Sequence, residues 1–242
     1  MKKLLVTISF FSVLLVSGQD TTYFDADQNK VKGMKYARYY KIIYRDLIDT
    51  SQVLEKEYYV SGQIMSETSY SDYSKGMKEG KSQHWYENGQ IRRNIDYVNG
   101  QIHGQLLTYW KNGHLKRSDT YETGKLIEGK CMDSLGSEVE HYDYWVAPRF
   151  PGGTESMKRY LLKELKYPAS AQKKRIEGVV YVAFIVERDG EITDVRIKKG
   201  THKLLDKEAL RMISSMSRWI PHMCDGETVK IRIVLPIRFQ LD

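Results

Sequence analysis

The stretch Gly178-Val-Val-Tyr-Val-Ala-Phe-Ile-Val-Glu-Arg-Asp-Gly190-Glu-Ile-Thr-Asp-Val-Arg-Ile-Lys198 reads as a β-hairpin. A run of apolar and β-branched residues is followed by a turn containing Asp189-Gly190. In the return run, Thr193, Val195 and Ile197 fall on one face and Asp194, Arg196 and Lys198 on the other. The first run is apolar on both faces: Val179, Tyr181, Ala183 and Ile185 on one, Val180, Val182, Phe184 and Val186 on the other. Such a strand needs cover on both sides.

Working outward, Leu204, Leu205, Ala209, Leu210, Ile213 and Met216 recur at helical spacing to about residue 217, and Arg218-Trp-Ile-Pro221 closes that helix. The last stretch alternates strictly. Val229, Ile231, Ile233, Leu235, Ile237 and Phe239 face one way, and Lys230, Arg232, Val234, Pro236 and Arg238 the other. This predicts one strand from Thr228 to Phe239, dry on one face, and Pro236 places it at a sheet edge because proline has no N–H to donate. Upstream, Thr154 is the expected N-cap of a helix over 154–165 whose apolar face is Met157, Tyr160, Leu161, Leu162 and Leu165. Tyr167-Pro168 ends it, and a short helix spans Ala169 to Arg175. The expected fold class is α+β: a three-stranded antiparallel sheet with two main helices over residues 149–242.

The N-terminal half has a different texture. Segment 19–56 reads as short strands broken by Asp, Asn and Gly turns. From residue 57 a repeat appears. Tyr58-Tyr-Val-Ser-Gly62-Gln-Ile64 is echoed by Trp85-Tyr-Glu-Asn-Gly89-Gln-Ile91 and by Tyr109-Trp-Lys-Asn-Gly113-His-Leu115. Gly89 and Gly113 are 24 residues apart, as are Gly100 and Gly124. Each unit is a hairpin: an aromatic pair ends one strand, Asn-Gly supplies the positive φ of a tight turn, and an apolar residue begins the return. One unit cannot bury its face alone, so neighbours stack. The pattern resembles the MORN-like repeats of bacterial envelope proteins and implies an all-β meander over about 57–145. The aromatic ladder is the packed face of a thin sheet, with protein or glycan binding as the rival use. The boundary falls in His141-Tyr-Asp-Tyr-Trp-Val-Ala-Pro148, where the strand period gives way to the helical one.

Met1-Lys2-Lys3, an apolar run from Leu4 to Val16 and Ser17-Gly18 have the anatomy of a secretory signal peptide over residues 1–18. The apolar run is shorter than the roughly 20 residues a spanning helix needs. Cleavage lowers the formal charge from +7 to +5, because Lys2 and Lys3 go. That surplus is modest and interspersed with acidic residues, and an exported protein rarely meets nucleic acid, so no nucleic-acid partner is expected. Cys131 and Cys224 stand about 90 residues apart, and His222-Met-Cys-Asp225 reads as a loop rather than a metal site. Glu187, Asp189, Glu191 and Asp194 form a solvated hairpin end. There is no nucleophile with a base and no phosphate-cradling loop, so no catalysis and no cofactor are expected.

Residues 149–241 resemble the TonB C-terminal domain. The resemblance is carried by Tyr167-Pro-Ala-Ser-Ala171, Arg175-Ile-Glu-Gly178, Val180-Tyr-Val-Ala-Phe184, Asp189-Gly190-Glu-Ile192, Asp206-Lys-Glu-Ala-Leu210, Trp219-Ile-Pro221 and the terminal strand. It implies a periplasmic module that grips a peptide segment of a TonB-dependent outer-membrane transporter by adding a strand to its own sheet. The position-by-position candidates are Lys166, Tyr167 and Pro168, and Val229, Lys230, Ile231, Arg232, Ile233 and Val234 of the last strand. In that family, force comes from inner-membrane proton-motor proteins through a spanning helix and a proline-rich spacer. MORN-like repeats stand here where the spacer would be. A periplasmic location follows if the leader is cleaved, and an inner-membrane anchor with motor partners if it is not. A homodimer is a further option, as is a scaffold whose C-terminal module only dimerises.

Overall fold

The computed structural model describes residues 20–241 apart from Asp27, so the expected signal peptide lies outside the described residues. Contacts divide the chain into two units, one ending at His141 and one beginning at Tyr142.

The first unit is a meander. Its strands are β1 (Asp20–Phe24), β2 (Lys30–Val31), β3 (Tyr39–Arg45), β4 (Val53–Tyr59), β5 (Ile64–Asp72), β6 (Met77–Trp85), β7 (Ile91–Val98), β8 (Gln101–Tyr109), β9 (Leu115–Glu122), β10 (Lys125–Met132) and β11 (Glu138–Val139). They form one antiparallel 11-stranded sheet in the order β11-β10-β9-β8-β7-β6-β5-β4-β3-β1-β2. The segment before residue 57 therefore continues the repeat sheet.

Two kinds of turn alternate along it. At Asn99-Gly100 and Thr123-Gly124 both residues have positive φ, the two-residue hairpin geometry that matches strand twist. The repeat turns Tyr86–Gln90 and Trp110–His114 differ from the expectation: only the glycine has positive φ there. The asparagine instead accepts a hydrogen bond two residues on, from Gln90 N–H to Asn88 Oδ1 and from His114 N–H to Asn112 Oδ1, both 3.1 Å.

The aromatic pairs are packed and bonded. The hydroxyl of Tyr59 donates to Trp85 O (3.0 Å), that of Tyr86 to Tyr109 O (2.8 Å), and Trp110 Nε1–H to Met132 O (3.1 Å). Each repeat is thus tied to the next through one aromatic side chain.

The buried face of this sheet is largely polar. Cross-strand neighbours run Glu57↔Ser66↔His84↔Arg93↔Thr108↔Arg117↔Cys131. A thin sheet gathers little apolar cover, so many of its hidden polar side chains pair with each other, although Thr108 Oγ1 has no hydrogen-bond partner among the described residues. Lys41 bridges Glu55 (3.0 Å) and Glu57 (3.2 Å), Ser66 donates to Glu57 (2.8 Å), and the hydroxyls of Thr68 and Ser82 share a bond of 2.7 Å. Arg117, fully buried, pairs with Asp119 at 2.7 Å, and His141 Nε2 lies 3.0 Å from the same carboxylate.

The second unit comprises β12 (Trp145–Val146), α1 (Gly153–Glu164), α2 (Ala169–Lys173), β13 (Gly178–Val186), β14 (Ile192–Lys199), α3 (Lys203–Ser214), β15 (His222–Cys224), β16 (Glu227–Val229) and β17 (Ile231–Phe239). The expected three-stranded antiparallel sheet is present in the order β14-β13-β17. Val180, Val182, Phe184 and Val186 of β13 are fully buried against Leu205, Ala209, Met212 and Ile213 of α3, with Phe150, Trp219, Ile237 and Phe239. These side chains are removed from water at roughly 1.5–3 kcal/mol each, which is what holds helices to sheet.

Five local expectations are corrected, the first being that His222–Cys224, read as part of a loop, forms β15 between β12 and β16. Helix α1 starts from Gly152 in the left-handed region (φ 78), with no side-chain cap from Thr154, because Gly152 and Gly153, both with positive φ, turn the chain at the helix start. Leu162 is 83% exposed and is not part of the packed face. Helix α3 ends at Ser214, and Met216 is buried from the extended segment after it. The final strand is two strands: β16 belongs to a small sheet of order β12-β15-β16, and β17 begins only after Lys230. A two-residue turn at Asp225-Gly226, both with positive φ, folds β16 back on β15 and sets that break. Both cysteines are free thiols, Cys131 buried and Cys224 half-buried.

Candidate functional site

β17 pairs with β13 on one side only, through nine consecutive residue pairs from Gly178↔Phe239 to Val186↔Ile231 with no shift of register. Its odd-numbered side chains point into the core, and Ile231, Ile233 and Leu235 are only partly covered there. Its even-numbered side chains, Arg232, Val234, Pro236 and Arg238, lie on the outer face.

Which backbone groups face the open side follows from β13. The hydroxyl of Thr201, just beyond β14, donates to Val179 O at 2.9 Å. Val179 therefore turns its backbone toward β14, and so do the β13 residues of its parity. Val180, Val182, Phe184 and Val186 turn toward β17 and pair with Ile237, Leu235, Ile233 and Ile231. By alternation, Arg232, Val234, Pro236 and Arg238 direct their backbone groups to the open edge. Pro236 thus costs the inner ladder nothing and removes one donor from the outer one. The unpaired N–H groups on this edge belong to Arg232, Val234 and Arg238.

The other candidates fall in different places. Val229 pairs with His222 in the small sheet, and Lys230 joins the two strands, so neither lies on the β17 edge. Ile231 and Ile233 contribute side chains, not edge hydrogen bonds. Lys166 N–H donates to Glu208 Oε1 at 2.7 Å. Burial of Glu208 opposes its ionisation, but hydrogen bonds from Arg211 and from that N–H outweigh it and hold the carboxyl below its ordinary range. Arg211 also donates to Glu164 O at the end of α1 (2.7 Å). The Tyr167 hydroxyl donates to Ile176 O (2.6 Å), and its ring meets Phe239 edge-on at 5.7 Å. Pro168 precedes the first turn of α2. Segment 166–168 is therefore a braced hinge that supports the end of β17. Glu208 and Arg211, which brace it, carry no signal in the sequence beyond helical spacing.

The outer face is basic. Arg196, Lys198, Arg232 and Arg238 are grouped there, and Asp194 is the one acidic residue within the three strands. Arg232 spans the sheet to Asp194 at 2.6 Å, and this hydrogen bond, joined by the charge of Arg196, holds the Asp194 carboxyl below its usual range.

A long, regular, unpaired sheet edge is a backbone template on which an extended segment can pair. Residues 163–241 match the family described as Gram-negative bacterial TonB protein C-terminal, and residues 52–72, 78–99 and 102–123 match the MORN repeat variant. The chain carries a TonB C-terminal domain behind an array of MORN repeats. Protein TonB of Helicobacter pylori strain J99 is 31% identical over 113 residues, 46% of this chain and 38% of that protein. Protein TonB of Vibrio cholerae serotype O1 is 35% identical over 78 residues, 32% of each. This chain thus spans between 32% and 38% of the length of these relatives. A solution NMR structure of the Helicobacter pylori TonB C-terminal domain is 26% identical, the match covering 38% of this chain and 87% of that one, with a TM-score of 0.29.

Proposed function

We propose that this protein is a periplasmic TonB-like binding protein that takes an extended segment of a TonB-dependent outer-membrane transporter as an added strand on β17, in energy-coupled outer-membrane transport. The observation that carries this reading is the edge itself. Among the described residues, the other sheets end in strands of two or three residues: β2 and β11 for the large sheet, β12 and β16 for the small one. The opposite edge of the C-terminal sheet, β14, has two register shifts against β13 and a left-handed residue at Asp194 (φ 48). Short and bulged edges resist pairing, whereas β17 is long and regular. The TonB C-terminal match supports the class of partner.

The test is titration of the full chain with a peptide from the periplasm-facing N-terminal segment of such a transporter. Val234→Pro removes an outward N–H and leaves the ladder to β13 intact. Loss of binding in this variant, with unchanged near-UV circular dichroism, is the expected result. Equal binding overturns the proposal, and self-association without peptide binding favours a dimerising module. No helix among the described residues is long and apolar enough to cross a membrane. A secreted form beginning at Gln19 would support the periplasmic location, and retention of Leu4–Val16 in the membrane would support the anchored alternative with motor partners.

A further inference from the structure

We infer that the β17 edge selects an acidic, alternately apolar extended segment, an inference that rests on strand addition at this edge. On an added strand, side chains alternate between the two faces of the sheet. Those on the core face would lie beside Ile231, Ile233 and Leu235, which are half-buried and open toward the edge. Apolar residues at these positions complete the core. Those on the outer face would lie beside Arg232 and Arg238, with Val234 and Pro236 between them.

No acidic side chain occurs in β17, and Asp194, the one acidic residue within the three strands of its sheet, is held by Arg232, while Glu187 just beyond β13 accepts from the Thr193 hydroxyl. Arg232 uses Nη1 for that bond, so the rest of its guanidinium fork can take a second carboxylate. Arg238 is exposed on the same face. Opposite charges directly across a strand pair stabilise it and like charges destabilise it, so the edge favours acid and disfavours base at the same positions. The outward N–H groups of Arg232 and Val234, followed by the gap at Pro236, confine continuous pairing to about Ile231–Leu235. The carboxylate beside Arg232 thus falls within the paired stretch and one beside Arg238 beyond the gap. Arg232 is the stronger selector.

The experiment uses the full chain and three fluorescein-labelled octapeptides that alternate valine with aspartate, threonine or lysine, followed by fluorescence anisotropy. The aspartate peptide is expected to bind about tenfold more tightly than the lysine peptide, with the threonine peptide between them. The gap should shrink to about twofold in Arg232→Gln/Arg238→Gln and in 1 M salt, where charges are screened beyond about 3 Å. Arg238→Gln alone leaves the Asp194 pair intact and should narrow the gap in part. Equal binding of the three peptides, all lost in Val234→Pro, would overturn the acidic preference and leave strand addition standing. Binding of none would overturn both.

Discussion

In the repeat sheet, the turn Tyr86–Gln90 closes through Tyr86 N–H to Gln90 O at 2.8 Å and Gly89 N–H to Tyr86 O at 2.9 Å. In the C-terminal sheet, the turn Glu187–Glu191 closes through the same two bonds at the same lengths. Asp189 accepts from Glu191 N–H as Asn88 accepts from Gln90 N–H. The local device is one; the surroundings differ. A Cβ added at Gly89 would first meet the flexible side chain of Gln63, at 3.7 Å. The Glu187–Glu191 turn is instead docked on the backbone of Trp219, whose N–H donates to Gly190 O at 2.9 Å. The repeat turn serves a sheet held by its neighbours and by polar pairs. The other serves a dry core. Sheets of shared local grammar are thus specialised by what their faces and edges meet.

The largest expected effect lies at the hidden ion pair of the polar sheet. Asp119→Ala leaves the fully buried Arg117 without this carboxylate and should cost about 3–5 kcal/mol in the repeat unit, measured by urea unfolding. A loss below about 1 kcal/mol would mean that water reaches the pair. Next comes the glycine contrast. An added Cβ at Gly190 runs into Trp219 O, so Gly190→Ala should cost about 3 kcal/mol, while Gly89→Ala carries only the left-handed strain, about 1 kcal/mol. Equal costs would show that docking on Trp219 adds nothing.

A pH series probes the polar face. Burial first, then the cations Arg93, Lys78 and Arg92, push the His84 imidazole down to about 2. The unfolded chain takes up that proton near pH 6.5, so folding excludes it below that pH. Stability of the repeat unit should therefore fall as pH drops from about 6.5 toward 2, by up to about 1.4 kcal/mol per pH unit from this group. His84→Gln should flatten the slope between about pH 7 and 5, and an unchanged slope would assign it to other groups. The smallest expected effect is Tyr86→Phe, which removes the hydroxyl bond to Tyr109 O and should cost about 1 kcal/mol.

Much of this molecule is legible in its sequence because turns and periods are local. Asp189-Gly190, the doubly apolar β13 and the 24-residue repeat each show, within a short stretch of sequence, the turn, strand or hairpin they form. Pro236 marks an edge strand, since a missing donor is tolerated only there. The strict alternation of 229–239 conceals the break at Lys230. Val229 keeps the period across it while pairing with His222, and an alternating pattern reports which face a side chain takes, not which strand it joins.

Propensity, turn chemistry and hydrophobic period act over short range, so most of the longer strands and helices and the presence of an edge strand are written in the chain itself. Two features are not. One is that β17 offers the backbone of Arg232, Val234 and Arg238 rather than of Ile231 and Ile233; the other is that Tyr167 is a brace. The parity of an open edge is fixed by register against β13, and a side chain's role by the partners that folding brings to it, and both depend on residues far apart in the chain.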